Sequence, residues 1–319
     1  MSSFQSIKRV IDAALEIPIV PGSTNLGYRV RRNLWAWSDP AQGSMQGTWA
    51  LVTGGTTGIG RAGALGLARA GAGVVITGRD AKGAEAAARE LSDETGSEVI
   101  GLGADLSHLD QAAGLAKEVI SRLDHVDVVV HNAGAMFGQY EEHDGIERTQ
   151  VLHVLSPFLL TRRLSPLIPN STRSRIVFMS SGGMYSQRLD VAKLQAGPSG
   201  YRGPIAYARA KRAQVALAHR FAERLPGRGV HAMHPGWVDT PGLHESLPRF
   251  ERALRPLLRR PEEGADTLIW LCTAAAAGTT TGLFWLDRRP RREAMLVGSG
   301  PLEEEETLWD WCEGVTSAY

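Results

Sequence analysis

Cysteine is nearly absent from this chain of 319 residues, which carries only Cys272 and Cys312. With no second pair and no histidine at ligand spacing, they build neither a disulfide framework nor a metal site, and they read as reduced thiols. Long apolar runs are missing too. No stretch reaches the ~18–20 residues that a membrane span needs. The first twenty residues lack the order of a signal peptide, because charges interrupt their apolar run. A cytoplasmic protein is expected. Charge of one sign is also lacking. Lys+Arg 35 against Asp+Glu 34 leaves +1, so no global field draws the chain to nucleic acid, and no nucleic-acid partner is expected. Aromatics are few, at 7%. What is present is ordinary for a globular protein: 43% hydrophobic and 22% charged residues, which excludes disorder as the main state. The 36 glycines suggest tight turns and close approach of backbone to ligand.

From residue 48 short apolar runs alternate with helical periods. The runs are Trp49–Thr53, Val74–Thr77, Val99–Gly103, Val126–His131, Arg175–Ser180, Val230–Pro235 and Leu283–Leu286. Between them lie helix-like stretches at 59–70, 81–94, 109–123, 144–162, 205–225 and 262–276. Apolar runs without polar alternation fit strands covered on both faces. The alternation predicts an α/β fold, a Rossmann-type doubly wound parallel sheet in a single domain over 47–290. Residues 1–46 form an N-terminal extension. It starts with an amphipathic helix whose apolar face holds Phe4, Ile7, Val10, Ile11, Ala14 and Leu15, with Lys8, Arg9 and Asp12 off that face. Pro18 and Pro21 end it. Arg29, Arg31 and Arg32 then run into Trp35 and Trp37. Residues 1–37 thus allow peripheral contact with an anionic membrane. Three arginines are a weak anchor at ~1 kcal/mol each, which favours an arm packed on the core. Residues 291–319 are a C-terminal extension with a helix near Pro301–Glu313, its acidic run Glu303–Glu306 suited to a first turn. The basic segments Arg252–Arg260 and Arg288–Arg292 read as solvated.

Thr53-Gly54-Gly55-Thr56-Thr57-Gly58-Ile59-Gly60 follows the first strand and opens a helix. Gly54 would turn the chain, Gly58 would admit a pyrophosphate to the backbone, and Gly60 would allow close packing, with the helix N-terminus holding the phosphates. The second strand ends at Gly78-Arg79-Asp80. A carboxylate at that strand end would select NAD, but Gly78 offers none, and Arg79 suits a 2′-phosphate. NADP(H) is therefore expected ahead of NAD(H). Asp80 would either reach the ribose or cap the next helix. Asp105, at the end of the third strand beside Leu106, would either accept from the adenine amino group or cap a helix.

Tyr207 and Lys211 stand four residues apart and share one helix face. A cation beside a phenol lowers its pKa from ~10 toward the working range. Upstream, Ser180 and Ser181 close a strand at the sheet edge where ligands bind in such folds. At this point the chain resembles the short-chain dehydrogenase/reductases over residues 48–290, and within them the retinol-dehydrogenase-like branch. The motifs are the glycine turn at 53–60, Asn132-Ala133-Gly134, Ser181, Tyr207 with Lys211, and Pro235-Gly236 followed by Thr240. The resemblance implies roles. Tyr207 would be the proton donor or base, and Ser181 would hold the substrate oxygen. Lys211 would bind the nicotinamide ribose and acidify Tyr207. Asn132 would stabilise the middle of the sheet, while Pro235, Gly236, Val238 and Thr240 would contact the nicotinamide and phosphates. Gly54, Thr56, Thr57, Gly58, Ile59, Gly60, Arg79, Asp105, Leu106, Ala133 and Gly134 complete the expected cofactor set. Homo-oligomers in such families form through the helices carrying the active site, a surface the terminal arms could block.

One departure stands at His153, where the family has an Asn whose main-chain carbonyl holds a water bonded to the lysine. A histidine keeps the carbonyl and could add a group with pKa ~6.5 to the relay. Substrate walls are expected in 182–204 and 237–260, from Met184, Tyr185, Trp237, Leu243, Leu247, Phe250 and Leu254. They suit a hydrophobic carbonyl or alcohol. The expected function is an NADP(H)-dependent oxidoreductase, with no metal. The rival reading is a catalytically silent NADP(H)-binding sensor or scaffold, prompted by His153.

Overall fold

The computed structural model describes residues 3–16, 22–246, 251–252, 254–294, 298 and 300–319. The expected positions Pro18, Pro21, Leu247 and Phe250 lie outside them. Eight strands build the main sheet: β1 (Trp49–Val52), β2 (Gly73–Gly78), β3 (Val99–Gly103), β4 (Val128–His131), β5 (Arg175–Met179), β6 (Gly229–Met233), β7 (Leu283–Leu286) and β8 (Arg289–Pro290). Their order is β8-β7-β6-β5-β4-β1-β2-β3. All neighbours are parallel except β7 and β8. β4 and β5 are buried throughout, as runs covered on both faces should be.

One face carries α3 (Gly58–Arg69), α4 (Ala81–Thr95) and α8 (Pro261–Thr273). The other carries α5 (Leu109–Arg122), α6 (Ser156–Leu164) and α7 (Gly203–Arg224). The chain winds from β1 outward to β3, then returns to place β4 on the other side of β1. Their carboxyl ends therefore form the switch point at which ligands bind in open α/β sheets.

The stretch 144–162 is not one helix. Asp144 and Gly145, at φ 54° and 75°, turn a two-stranded hairpin of Glu142–His143 with Ile146–Glu147. A π-helical turn, Val151–Leu155, precedes α6.

Both extensions pack on this core. In α9 (Leu302–Thr316), Leu308, Trp309 and Cys312 are buried. The Trp309 ring sits 4.9 Å from those of both Phe158 and Phe221. It thereby covers the outer face of α6 and α7. The acidic run completes the seam: Glu306 accepts from Arg220 and Arg224, and Glu305 from His219. His219 lies between Glu305 and Glu293 at 3.0 and 2.9 Å. Burial opposes its charge, but the two carboxylates outweigh that and raise its pKa to about 10. Its stabilisation is complete below the unfolded value of ~6.5 and disappears as pH rises through about 10. Melting temperature should fall across that window in the wild type, and His219→Gln should flatten the fall. Identical profiles would show that the pairs contribute nothing.

At the N-terminus, α1 (Ser3–Glu16) and α2 (Asn25–Trp35) lie against β7 and β8. The expected apolar face of α1 is corrected. Val10 and Ile11 face solvent, whereas Asp12 is buried between Arg31, Arg289 and Arg291. Arg31 is also buried, so it is no surface charge. The Arg288–Arg292 cluster is not wholly solvated either. Arg288 pairs with Asp266, and Arg291 with Asp12 and Glu16. Arg289 and Arg288 stack on Trp35 and Trp37, at 4.2 and 5.0 Å from the ring centroids. Among the described residues, no helix is long and apolar enough to cross a membrane. Cys272 and Cys312 are free and buried, and burial raises both thiols, so neither is poised to react.

Candidate active site

The glycine turn is built as a cradle. Thr77 holds its start, its hydroxyl and carbonyl accepting from the N–H groups of Gly54 and Gly55 at 3.1 and 2.9 Å. A Cβ at Gly60 would lie 2.2 Å from the Gly54 carbonyl oxygen and 2.4 Å from Asn132 Nδ2. Gly60 thus makes room for the turn itself, a tighter demand than helix-to-sheet packing. Gly58 has φ 54°, and Thr240 Cγ2 stands 3.4 Å from the point where its Cβ would be. Thr57 is the N-cap of α3, but its side chain makes no cap bond. No side chain caps the first amides of α3, an arrangement that suits an anion. Thr56 lies against Gly78, and Ile59 against the Gly264 region of α8. These features fit a dinucleotide phosphate.

At the β2 end, a Cβ on Gly78 would come within 2.8 Å of Thr56 Cγ2, so a carboxylate there would have to displace the Thr56 methyl. Asp80 is the N-cap of α4, accepting from Gly83 N–H at 2.8 Å. Arg79 is exposed and has no ionic partner among the described residues. Asp105 caps no helix. Its Oδ1 accepts from the backbone N–H and hydroxyl of Ser107 at 2.9 and 2.6 Å. Burial works to raise its carboxyl, but the Ser107 bonds, with His108 and Arg148, hold it below the usual range. Leu106 is buried, and its carbonyl takes the Ser156 hydroxyl at 2.7 Å.

Asn132 staples β4 to the turn, its Nδ2 donating to the carbonyls of Thr53 and Gly54 at 2.9 and 3.1 Å. The N–H of Ala133 donates to Thr53 Oγ1 at 3.1 Å. Gly134 makes room for His153, whose Cε1 lies 2.7 Å from the position of a Cβ. His153 sits in the π-helical turn, fully buried. Its Nε2 donates to the Ala135 carbonyl at 2.8 Å, which leaves Nδ1 as the unprotonated nitrogen, without a partner among the described residues. Burial, with Lys211 nearby, holds its pKa well below the ordinary imidazole range. The expectation of a proton carrier near 6.5 is therefore corrected. His153 is a neutral ring that pins the loop after β4. His131, before Asn132, is likewise a core histidine pushed down to about 3 by burial, with Nε2 2.7 Å from Thr161 Oγ1.

The two serines diverge as strand alternation requires. Ser180 is buried and donates to the Lys211 carbonyl at 2.8 Å. Ser181 is half-buried, its hydroxyl accepting from Gly183 N–H at 3.3 Å, and it stands close enough to the Tyr207 phenol to lower it. Tyr207 and Lys211 share the inner face of α7. The Tyr207 ring lies edge-on to His153 at 5.2 Å, and Lys211 Nζ is 5.4 Å from the Tyr207 ring centroid. The electrostatics differ from expectation. Burial raises the Tyr207 phenol above its ordinary value, against the lowering effect of Ser181. Lys211 does not acidify it, because its amine is turned to the Met179 carbonyl and Gln214 Oε1, at 2.6 and 3.0 Å. Burial brings Lys211 itself down to about 7.

The loop after β6 closes the cleft. Gly236 has φ 83°, Thr240 faces Gly58, Val238 is buried against Gly264, and Trp237 is half-buried. The expected substrate wall is revised on the other side. Met184 and Tyr185 are buried in the core, with the Tyr185 ring 6.0 Å from Phe284, and present no surface to a substrate. Trp237, Leu243 and Leu254 remain accessible. Sequence reasoning missed Gln214 and Arg259. The first is one helical turn beyond Lys211, a spacing that could have found it. The second is one of four arginines in a basic segment, and no sequence signal sets it apart.

The comparisons agree with this geometry. Residues 48–249 match the short chain dehydrogenase family model. Human dehydrogenase/reductase SDR family member 12 is 36% identical over 264 residues, which cover 81% of this chain and 83% of that protein. Mouse retinol dehydrogenase 11 is 31% identical over 283 residues, 83% of this chain and 88% of that one. Among solved structures, a blue fluorescent protein from a metagenomic library, in complex with NADPH, superposes with a TM-score of 0.63 at 26% identity. The match covers 76% of this chain and 96% of that one.

Proposed function

We infer that this chain, which belongs to the short-chain dehydrogenase/reductase family in its retinol-dehydrogenase-like branch, interconverts a hydrophobic carbonyl and its alcohol with NADP(H). The family makes it a nicotinamide-dependent oxidoreductase. The observation that carries the chemistry is Tyr207 with Lys211 one turn along the same helix and Ser181 near the phenol, at the carboxyl edge of the sheet. When bound, the nicotinamide supplies or accepts the hydride. Tyr207 keeps its proton at neutral pH, because burial holds the phenol high, so it serves as donor to a carbonyl oxygen that Ser181 positions. Lys211, brought down to about 7 by burial, has when protonated a third N–H beyond those given to Met179 and Gln214, and that donor suits a ribose hydroxyl.

Three features favour NADP(H). Gly78 offers no carboxylate and crowds the Thr56 methyl, Asp80 is occupied as a cap, and Arg79 is free to fork onto a 2′-phosphate. The partly exposed apolar side chains of Trp237, Leu243 and Leu254, from the loop after β6 and the segment that follows it, favour an apolar substrate. The test is steady-state turnover of a panel of lipophilic ketones and aldehydes with NADPH and with NADH. Arg79→Ala should raise KM for NADPH about tenfold or more, as loss of a charge-assisted bond predicts, and should leave that for NADH unchanged. Equal effects on both would remove Arg79 from phosphate recognition.

A further inference from the structure

We propose that the N-terminal arm is a working part of the cofactor cleft, and that Arg259 is the positioning residue through which it holds the loop 235–240. This rests on the reading of that loop as a nicotinamide contact. Arg259 is 1% exposed and belongs to neither the arm nor the loop, yet it joins both. Its backbone zips to the loop, with Arg259 N–H donating to the Trp237 carbonyl at 2.7 Å and Asp239 N–H to the Arg259 carbonyl at 2.8 Å. Its guanidinium reaches three backbone carbonyls, one in the loop and two in the arm. Nη1 donates to the Pro235 carbonyl at 3.2 Å, Nη2 to the Gly22 carbonyl at 2.9 Å, and Nε to the Thr24 carbonyl at 3.2 Å. Both terminal nitrogens also fork onto Asp287, at 2.7 and 2.9 Å. Five donors thereby have five acceptors, a set that only a planar guanidinium satisfies.

The arm also touches the loop directly. Trp237 N–H donates to the Ser23 carbonyl at 2.8 Å. Gly236 N–H donates to His234 Nδ1 at 3.2 Å, which leaves the ring proton on Nε2, 3.3 Å from Ser23 Oγ. A Cβ at Gly236 would lie 2.3 Å from Arg259 Nε, so the guanidinium is packed flat on the residue whose left-handed backbone aims the loop. Beyond it, Thr240 closes on Gly58 of the phosphate turn. The arm itself is clamped by Arg31, which binds the Gly22 carbonyl and Asp287 at 2.9 and 2.7 Å. Residues 22–24 and 31 therefore reach the cofactor cleft through a continuous chain of hydrogen bonds.

Two substitutions in the full-length protein test this. Arg259→Lys keeps the charge for Asp287 but reaches fewer acceptors. Gly22→Ala leaves every polar group in place but would set a Cβ 2.4 Å from the Leu15 carbonyl oxygen, displacing the arm. Hydrogen exchange without cofactor reads the loop directly. Protection of the Trp237 and Asp239 amides should fall about tenfold or more, the scale of a lost hydrogen bond. In turnover, KM for NADPH should rise about tenfold with kcat within about twofold. Unchanged protection at both amides in both variants overturns the clasp, as does a loss of kcat with KM unmoved. If the wild type binds no nicotinamide, the functional reading fails instead, and hydrogen exchange still decides whether the arm orders the loop.

Discussion

Replacing Tyr207 with Phe is expected to lower kcat/KM for carbonyl reduction by about 10²–10⁴-fold, the range for loss of a positioned general acid. Binding of NADPH should stay within about twofold. The two effects separate because they reside in different parts of the site. The proposed phosphate cradle is Gly58, the start of α3 and Asn132, in and around the turn after β1 and not on α7. Phe keeps the ring that packs edge-on to His153 at 5.2 Å, so the loop after β4 stays pinned. What is lost is the phenol O–H, which stands near Ser181. Fluorescence titration with NADPH and turnover of an aliphatic ketone check both halves. Retained turnover would remove Tyr207 as the acid. A parallel loss of NADPH binding would mean that the substitution had disturbed the cleft.

The parts of the site that rest on backbone demands were legible in the sequence. Gly54, Gly58 and Gly60 follow a strand and open a helix, and each meets a steric limit in the structure. Tyr207 and Lys211 share a helix face because four residues make about one turn. What could not be read is where long side chains turn. Lys211 follows Tyr207 in the expected register, but its amine goes to Met179 and Gln214 and not to the phenol. Asp12 looked polar and peripheral, yet it is buried, because partners more than 250 residues away complete its charge. The edge strand β8 escaped notice for a local reason. Its turn is made by Asp287 and Arg288, both at φ 55°, without the glycine that usually marks such a bend. The hairpin at Asp144-Gly145 did carry that mark, but it lay inside a stretch with helical spacing.

Asp287→Asn should produce the largest loss of stability, about 3–5 kcal/mol, typical of removing one partner from a buried ion pair. Asp287 is 0% exposed and serves two buried guanidiniums, those of Arg31 and Arg259. Burial would raise its carboxyl, but the two arginines outweigh that and hold it below the usual range. Asparagine keeps the shape and tolerates the left-handed backbone at this position. It removes the charge and turns an N–H₂ donor toward groups that are themselves donors. Arg259 is then left inside the protein with carbonyls alone, and Arg31 keeps only Asp12 and the Gly22 carbonyl. The exposed pair of Arg69 with Glu94 is the control, because Arg69→Ala should cost under about 1 kcal/mol. Urea unfolding at pH 7 measures both. The sign of the pH dependence gives a second check. A depressed carboxyl contributes stability above its unfolded value of ~3.9 and loses it only as pH falls through the folded one. The gap between wild type and Asp287→Asn should therefore hold constant from pH 5 to pH 8 and close only in acid. A gap below about 1 kcal/mol at pH 7 would mean that the arginines find other counter-charges when Asp287 is neutral.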